Sequence, residues 1–390
     1  MISKNIKVLF LVTEDWYFYS HRLAIARAVR NAGCEIIVAT RVTNHRELIE
    51  KEGFRVVPIK LRRRSKNPFI ELTSIIELIK IYRKERPTIV HQVAIKPVLY
   101  GSCAAKITGV PAIVNALSGL GFVFIANGWK NSIFREAIKF LYKLALLLDN
   151  LKVIFQNPDD RKTFVNAGIV DYNKTVIIKG SGVDPAKFKY SPEPKGIPVV
   201  MLASRMLWDK GIGELVEASR LLKASDIICR VVLVGMPDPE NPASIPEDKL
   251  RGWHSEGIVE WWGHREDMPA VFSESHIVCL PSYREGLPKV LIEAASCGRA
   301  IVATDVPGCR EIVRHGVNGL LVPPKDSKAL ARSLTILLQD PELRSHMGKK
   351  GREIAVSEFS EERVTKETIG VYRDLLKNHW PSKNESHALC

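Results

Sequence analysis

Two glutamates and a proline in the C-terminal half of the chain give the clearest sign of a ligand-binding or catalytic segment, because of their positions relative to one another. Glu285 and Glu293 are eight residues apart, and Pro288 stands between them, where it suits the first residue of a helix that follows a buried apolar run. The backbone N–H groups of Gly286 and Leu287 would then lie at the helix N-terminus, where hydroxyls and anions bind. One carboxylate would then face a sugar while the other reaches further along the same ligand. The simpler alternative is a pair of solvated glutamates at a helix start.

Two cations follow an earlier apolar run in the same half of the chain. Arg205 and Lys210 are five residues apart, on a turn that would join a strand to a helix. An arginine binds two oxygens of a phosphate at once, while a lysine acts as a compact point charge. The spacing therefore favours a diphosphate as the ligand of both side chains. Two exposed cations without a ligand are the alternative that the sequence leaves open.

Apolar runs rich in valine and isoleucine alternate with helical patterns along the whole chain, and this alternation predicts parallel sheets built from βαβ units. A segment rich in proline and glycine, 190–196, interrupts the series. We therefore predict an α/β protein with two tandem doubly wound, Rossmann-like domains and a cleft between them. The expected domains are residues 1–190, residues 197–357, and a C-terminal helix and tail at 358–390 that pack back towards the first domain. Ligands of such sheets bind beyond the carboxyl ends of the strands.

The composition excludes several classes of protein. The 390 residues are 46% hydrophobic and 26% charged, which is typical of globular proteins and excludes disorder, collagen and coiled coil as overall classes. The net charge of +14 is unevenly divided, because residues 1–190 carry a net +16 and the other residues −2. Such asymmetry indicates that the N-terminal half meets a membrane, a phosphate-bearing substrate or nucleic acid. A basic surface that serves solubility alone is the alternative.

Several familiar sites are missing from the sequence. The seven cysteines include no C-x-x-C pair, which disfavours disulfides and structural zinc and is typical of a cytoplasmic protein. No D-x-D, P-loop or complete dinucleotide fingerprint occurs. The N-terminus has no signal-peptide pattern, and glycine and proline in the uncharged stretch between Lys106 and Lys130 favour a strand and loop over a membrane-spanning helix. We expect no cofactor and no metal requirement.

Together, these motifs resemble those of the retaining glycosyltransferases of family 4 across nearly the whole chain. The segments that carry the resemblance are Glu285 with Glu293 (an E-x7-E pair), Arg205 with Lys210, 180–184 and 316–323. Within that family, the segments 18–22, 95–101 and 115–121 are similar to those of the branch that builds lipid-linked O-antigen, capsule and bacterial N-glycan precursors. That branch includes N-acetylgalactosaminyl transferases. The resemblance implies the two-domain GT-B fold.

The resemblance also implies roles for individual residues. The donor-binding residues would be Arg205, Lys210, Glu285, Gly286, Leu287, Pro288 and Glu293, and three of them, Arg205, Lys210 and Glu285, would take part in catalysis. The two cations would hold the donor diphosphate, and Glu293 would bind the ribose hydroxyls. Retention in this family is usually ascribed to attack on the same face of the sugar, with the leaving phosphate as base. The protein would then contribute positioning and charge stabilisation.

The chain departs from the family pattern in its first domain. Many members carry a histidine where Ser118 and Gly119 stand here. His21 and His91 are alternative polar groups near strand ends, and Lys96 belongs to a motif of the lipid-linked branch. These five residues are the candidate acceptor or cleft residues, although a lone histidine is more often structural.

Two basic features of the first domain indicate a membrane surface. A loop carries Arg62, Arg63 and Arg64, and a helix predicted over 132–148 carries cations on one face (Arg135, Lys139 and Lys143) and an apolar stripe on another (Phe134, Ile138, Leu141, Ala145 and Leu148). A basic amphipathic helix lies on an anionic bilayer, whereas an ordinary surface helix buries its stripe in the core. The nearby Phe122, Phe124 and Trp129 are candidates for insertion into the bilayer.

We therefore predict an enzyme, a retaining glycosyltransferase that moves an N-acetylhexosamine or hexose from a UDP-sugar to a polyprenyl-diphosphate-linked glycan in bacterial surface polysaccharide or glycan assembly. It would be cytoplasmic and peripherally attached to the inner face of the cell membrane. One alternative is a UDP-sugar 2-epimerase of the same fold, which does not need a lipid-facing basic half. Another is a catalytically silent subunit that binds lipid-linked glycan, which does not need the intact donor-site motifs. Nucleic acid is not an expected partner, because it would explain the charge but not the E-x7-E segment.

Overall fold

A computed structural model describes residues 6–61, 67–119 and 129–376 of the chain. These residues belong to two compact units: the first combines the chain up to Ser181 with the chain from Glu361 onwards, and the second extends from Gly182 to Ser360. All strand pairs described in the two sheets are parallel. The predicted fold class, two tandem doubly wound α/β domains, is therefore confirmed.

The first unit is built around a seven-stranded sheet. Its strands are β1 (Lys7–Glu14), β2 (Glu35–Arg41), β3 (Arg55–Pro58), β4 (Ile89–Val93), β5 (Ala112–Leu117), β6 (Leu151–Phe155) and β7 (Thr175–Ile177), in the spatial order β3-β2-β1-β4-β5-β6-β7. Its helices are α1 (Asp15–His21), α2 (Leu23–Asn31), α3 (Arg46–Lys51), α4 (Pro68–Glu85), α5 (Ile95–Thr108), α6 (Trp129–Ala145), α7 (Pro158–Asn166) and α15 (Glu361–Leu376).

The strands of this sheet are apolar on both faces because helices cover both faces. Residues of β1, β4, β5 and β6 pack with α4, α5, α6 and α7 on one face. On the other face, residues of β1, β2, β4 and β5 pack with α1, α2, α3 and α15. Some helices begin at recognisable caps: Asn157, for example, accepts from Asp160 N at 2.8 Å, just before Pro158 at the start of α7.

The second unit repeats the plan with six strands. They are β8 (Val199–Ala203), β9 (Arg230–Val234), β10 (Glu260–Gly263), β11 (Ile277–Leu280), β12 (Ala300–Thr304) and β13 (Gly319–Val322), in the order β10-β9-β8-β11-β12-β13. The helices are α8 (Ile212–Ala224), α9 (Glu247–Ser255), α10 (Met268–Ser273), α11 (Lys289–Ser296), α12 (Cys309–Ile312), α13 (Ser327–Gln339) and α14 (Pro341–Phe359). Short single turns of 3-10 helix lie at Tyr172–Lys174 in the first unit and Trp208–Lys210 in the second.

The first unit ends earlier in the structure than the boundary expected at residue 190. Val183 and Phe188 are buried in the core of the second unit, so the segment that contains them belongs there. Arg352 reinforces this attachment by donating to Phe188 O at 2.7 Å. The proline- and glycine-rich composition of 190–196 marked a surface segment, but burial of the preceding apolar side chains decides where the unit begins.

The C-terminal helix expected in residues 358–390 is α15, and it packs on the first unit. Val364, Val371 and Tyr372 are buried in the core that β1 and α2 also line. The Tyr372 hydroxyl hydrogen-bonds to His91 Nδ1 at 2.5 Å, which joins this helix to β4. The end of the chain thus completes the first unit.

The predicted apolar stripe of the helix at 132–148 is partly wrong. In α6, Leu141 is exposed, while the packed face is centred on Tyr142, which is fully buried with its ring 5.2 Å from that of Phe164. The predicted stripe missed this face because it counted only apolar side chains and left out tyrosine, which carries a hydroxyl. Ala145 is buried as expected, and the side chain of Phe134 lies outside the described residues.

Other expected membrane contacts also lie outside the described residues. The loop of Arg62, Arg63 and Arg64, the residues Phe122 and Phe124, and the side chain of Trp129 belong to this group. Over the ranges that the structure describes, none of the helices combines the length and the apolar character needed to cross a bilayer. The stretch after Lys106 contains the end of α5 and then β5.

Two helical glycines allow a test of the packing of the second unit. A Cβ at Gly348 in α14 would lie 2.1 Å from Gly298 O, whereas a Cβ at Gly252 in α9 would meet nothing within 4 Å. We predict that Gly348→Ala lowers the free energy of unfolding by about 1–3 kcal/mol because the helix must move away. Gly252→Ala should leave it unchanged or raise it by up to about 1 kcal/mol, because alanine favours helix. Urea unfolding of the full chain measures both, and an equal loss in the two variants would contradict the close approach.

Candidate functional site

The two motif segments of the second unit lie at the same edge of its sheet. β8 and β11 are neighbouring parallel strands, so the loops that follow them leave the sheet side by side. Arg205 and Lys210 follow β8, and Glu285 follows β11. Tyr283 N donates to Asp209 O at 2.9 Å, which ties the two loops directly together. The topology of the sheet therefore assembles the candidate site.

An ion pair joins the two loops at their functional side chains. Lys210 Nζ lies 2.5 Å from Glu285 Oε1, and both side chains are mostly buried. The two residues are 75 positions apart in sequence, so their spacing along the chain gave no sign of this contact. A paired amine and carboxylate at a strand edge present one group suited to a phosphate and one suited to a sugar hydroxyl.

Arg205 has a partner that the sequence reasoning missed. Its Nη1 donates to Asp238 Oδ2 at 2.6 Å. Asp238 lies in the loop after β9, and its own N–H donates to Ser244 Oγ at 3.0 Å. This loop is held beside Arg205 because Met206 N donates to Met236 O at 3.0 Å. The sequence shows an aspartate in a proline-rich loop after a buried strand. Its connection to Arg205 becomes evident only in the structure, where β9 lies next to β8.

Two glycines with positive φ allow the loops of this edge to pack closely. Gly211 has a φ of +72°, and a Cβ there would lie 2.1 Å from Pro281 O. Gly308 has a φ of +84°, and a Cβ there would lie 2.5 Å from Gly286 O. A side chain at Gly211 would separate the loops that carry Lys210 and Glu285, and a side chain at Gly308 would push the loop after β12 away from the Glu285 loop.

The helix after Glu285 begins one residue later than predicted. Pro288 precedes the helix with a φ of −73°, and α11 starts at Lys289. Leu287 is buried in the core of the unit, so its side chain anchors the segment. Glu293 is mostly buried in the second turn, where its carboxylate lies 3.6 Å from Lys289 Nζ. The E-x7-E pair therefore consists of one carboxylate held by Lys210 and another beside a cation of its own helix.

In the first unit, four of the five candidate acceptor residues follow strands that are neighbours in the sheet. His21 ends the helix after β1, Lys96 begins the helix after β4, and Ser118 and Gly119 follow β5. His21 stacks on Tyr17 with ring centroids 4.3 Å apart. The sheet order β1-β4-β5 brings all four to its carboxyl edge.

The backbone and side chains around Lys96 are tightly specified. Lys96 Nζ forms an ion pair with Glu71 Oε1 at 2.7 Å, between α5 and α4. Burial raises the pKa of Tyr100, and its hydrogen bond to Glu71 raises it further. Ala94, just before α5, has a φ of +77°, a conformation that costs a non-glycine residue about 1–3 kcal/mol. Strain of this kind is concentrated at functional edges, and nothing in the sequence of this segment revealed it.

His91 is buried in the core of the first unit. The prediction that it lies at the edge of the sheet, among the candidate acceptor or cleft residues, is therefore wrong. It lies inside β4, opposite Phe10 of β1, and only 1% of its surface is exposed. Burial lowers the pKa of its imidazole well below the usual range, and the nearby Arg22 adds to this effect. His91 is therefore neutral, stacked on Phe10 at 5.1 Å and bonded to Tyr372.

Part of the motif shared with the lipid-linked branch has a structural role. Ser102 Oγ donates to Gln92 Oε1 at 3.1 Å, and Asn115 Nδ2 donates to Ser102 Oγ at 3.1 Å. All three side chains are buried between β4, α5 and β5. A Cβ at Gly101 would lie 2.7 Å from the Gln92 side chain, so glycine makes room for this network.

No group of three or more histidine, cysteine, aspartate or glutamate side chains that could hold a metal ion occurs among residues 6–61, 67–119 and 129–376. Arg205 and Lys210 are two cations at the sheet edge of the second unit, and each is paired with a carboxylate.

Two family models match the chain, one in each unit. Residues 7–157 match the model described as glycosyl transferase 4-like, and residues 183–354 match the model described as glycosyl transferases group 1. The second match contains the whole edge with Arg205, Lys210 and Glu285. The resemblance drawn from the motifs is confirmed by these matches.

Curated relatives match over most of the chain. N,N'-diacetylbacillosaminyl-diphospho-undecaprenol alpha-1,3-N-acetylgalactosaminyltransferase of Campylobacter jejuni is 29% identical over 95% of this chain and 100% of its own length. UDP-Gal:alpha-D-GlcNAc-diphosphoundecaprenol alpha-1,3-galactosyltransferase of Escherichia coli is 24% identical over 79% of this chain and 81% of its own length. Both are glycosyltransferases, in agreement with the predicted enzyme class.

The solved structure of HepE from Anabaena, a complex with UDP, superposes on this chain with a TM-score of 0.75 and 20% identity, covering 95% of this chain and 100% of its own. At 20% sequence identity, this similarity shows the fold alone. The chain therefore belongs to the group 1, family 4-like glycosyltransferases, and its two parallel-sheet units have the GT-B fold of that family.

Proposed function

We propose that this glycosyltransferase moves an N-acetylhexosamine or hexose from a UDP-sugar to a polyprenyl-diphosphate-linked glycan, with retention of the anomeric configuration. The names of the Campylobacter and Escherichia relatives, which contain diphospho-undecaprenol acceptors and alpha-linked products, support this acceptor class. The UDP in the HepE structure supports a UDP-linked donor. The reaction would serve the assembly of bacterial surface polysaccharide or glycan.

One observation carries the proposal: the edge formed by Arg205, Lys210 and Glu285 at the ends of β8 and β11. Each of the two cations is paired with a carboxylate, Arg205 with Asp238 and Lys210 with Glu285. A diphosphate is a stronger ligand for a guanidinium and an ammonium than a single carboxylate, because it offers several anionic oxygens. Donor binding would therefore draw the cations towards phosphate and leave Glu285 available to the donor sugar.

The protein would act mainly through charge and position. As the bond between sugar and phosphate breaks, negative charge grows on the leaving diphosphate, where Arg205 and Lys210 stabilise it. Glu285 orients the sugar, and Glu293 on α11 binds the ribose. The leaving phosphate takes the proton from the acceptor hydroxyl, so no additional base is required. With two cations at the phosphate, we propose that transfer needs no divalent metal.

We also propose that the first unit binds the anionic membrane surface that presents the acceptor. α4 carries an exposed apolar stripe, Phe69, Leu72 and Ile76, which continues along the same side of the helix as Lys80 and Arg83. Phe69 is 78% exposed. A helix with exposed apolar residues followed by cations fits the boundary between acyl chains and anionic headgroups.

α6 continues this surface. Phe140 and Leu144 are exposed on it, and Lys143 lies between them in sequence and is also exposed. α4, α5 and α6 lie on the same face of the sheet and pack against one another in sequence order. The exposed apolar residues of the second unit, such as Ile197 and Ile228, belong to no comparable series with cations. This contrast supports attachment through the first unit.

The first prediction for this function concerns Glu285. Glu285→Gln should lower kcat by on the order of 100-fold, because the carboxylate contact that orients the sugar in the transition state is lost. Transfer from radiolabelled UDP-sugars to polyprenyl-diphosphate-linked acceptors measures it, with anomeric assignment of the product. Glu217→Gln, on the exposed side of α8, is the matched control and should retain full activity. Wild-type turnover in a folded Glu285→Gln variant would exclude the proposed role.

The second prediction concerns the diphosphate. Arg205→Ala and Lys210→Ala should each weaken UDP binding by about tenfold or more, since a charge-assisted hydrogen bond contributes about 1.5–3 kcal/mol. Calorimetry with UDP in the presence of EDTA measures the affinity and tests metal independence in the same titration. Arg220→Ala on α8 removes a cation away from the edge and should bind UDP normally. Unchanged affinity in both edge variants would remove them from the donor site.

The third prediction concerns the membrane. The full chain should float with anionic vesicles, and binding should fall with salt, because the Debye length decreases from about 10 Å at 0.1 M to about 3 Å at 1 M. Phe69→Ser combined with Phe140→Ser should abolish the binding that survives high salt, since burial of apolar groups is not screened. Lys80→Gln combined with Lys143→Gln should weaken binding at low salt, by about 1 kcal/mol per cation.

The matched control for flotation changes exposed apolar residues of the second unit. Ile197→Ser combined with Ile228→Ser should bind vesicles as the wild type does, because these side chains lie outside the proposed surface. Equal loss in this control and in the variant of α4 and α6, or no flotation of the wild type, would contradict attachment through the first unit.

A further inference from the structure

The first unit contains a small buried cavity that the proposed function does not use. It has a volume of about 10 Å³, the space that one water-sized particle needs. Its polar lining residues are Arg22, His91, Gln156 and Thr368, and its apolar walls are Ile25, Ala116, Ile154 and Ile178, with Gly180 at the margin. The cavity therefore lies between the sheet, the residues at which α1 meets α2, and α15.

Arg22 brings an unbalanced charge to this cavity. The residue is only 3% exposed, and its Nε has no hydrogen-bond partner. Among the residues that the structure describes, no carboxylate forms an ion pair with it. A guanidinium stays charged at all ordinary pH values, and burying it without a counter-charge is strongly unfavourable.

His91 brings a second unpartnered polar atom. Its Nδ1 is bonded to the Tyr372 hydroxyl at 2.5 Å, while its Nε2 is buried without a partner. Because the imidazole is neutral, one ring nitrogen carries the proton. If the Tyr372 hydroxyl donates to Nδ1, the proton is on Nε2, and the ring then offers an N–H group to the cavity. Arg22 and His91 would in that case supply two donors to one occupant.

We propose that this cavity binds a single small monovalent anion of the halide class, chloride under physiological conditions. The anion provides the counter-charge that Arg22 lacks and accepts hydrogen bonds from Arg22 Nε and His91 Nε2. A space of this size suits a monatomic ion better than a phosphate or a carboxylate. A water molecule would satisfy the same hydrogen bonds but would leave the charge of Arg22 unbalanced.

The anion links the C-terminal helix to the rest of the first unit. Thr368 of α15 lines the cavity, and Tyr372 of the same helix holds the His91 ring. An anion that fixes Arg22 and His91 therefore stabilises the packing of α15 against β4 and α2. It acts on the stability of the first unit and is independent of the donor site.

The decisive experiment locates the ion in the full-length wild-type protein. Crystals grown in bromide in place of chloride should show an anomalous scattering peak in contact with Arg22 and His91. An ordered water without anomalous signal at that position, or an empty cavity, would overturn the proposal. This measurement does not depend on any variant.

The second experiment measures the effect of the ion on stability. Replacing gluconate, which is too large for the cavity, by chloride at equal ionic strength should raise the unfolding midpoint temperature by roughly 2–4 °C. Arg22→Gln should lose this halide-specific rise. Arg27→Gln, which removes an exposed cation on α2 paired with Glu52, should keep it. The same response to gluconate and chloride in the wild type would also overturn the proposal.

Discussion

Lys210 and Glu285 form an ion pair between loops that follow neighbouring parallel strands, and the candidate donor site depends on that contact. The pair is possible because β8 and β11 lie next to each other in the sheet, although three α-helices and two strands separate them along the chain. Gly211 and Gly308 let the surrounding loops approach closely enough to hold it. Backbone conformation, sheet order and charge pairing therefore converge on one edge of the second unit.

The ion pairs of Arg205 and Lys210 limit the binding energy that the proposed donor site would offer. Both cations have carboxylate partners, so a diphosphate bound there, as we propose, would gain the difference between two sets of charge-assisted contacts. The carboxylates also keep the cations in place and spare them the cost of being desolvated alone. Asp238 is thus part of the site even though it would be expected to repel a phosphate.

The first unit has polar residues both in its core and at the edge of its sheet. Gln92, Ser102 and Asn115 satisfy one another in the core, and His91 is bonded to Tyr372. His21, Lys96 and the residues after β5 remain at the edge of the sheet. The motifs shared with a family branch therefore contain both residues of the core and residues at the sheet edge.

The sequence by itself determined the two α/β units, the elements that carry the motifs and the enzyme family, because these depend on local hydrophobic runs and on short motifs around Arg205 and Glu285. Only the tertiary structure decided that Asp238 accompanies Arg205, that His91 is buried and that Tyr142 is the packed residue of α6. It also decided that residues 182–190 belong to the second unit and that α15 completes the first. These facts depend on strand order and on contacts between residues far apart in the chain, and local spacing contains no information about either.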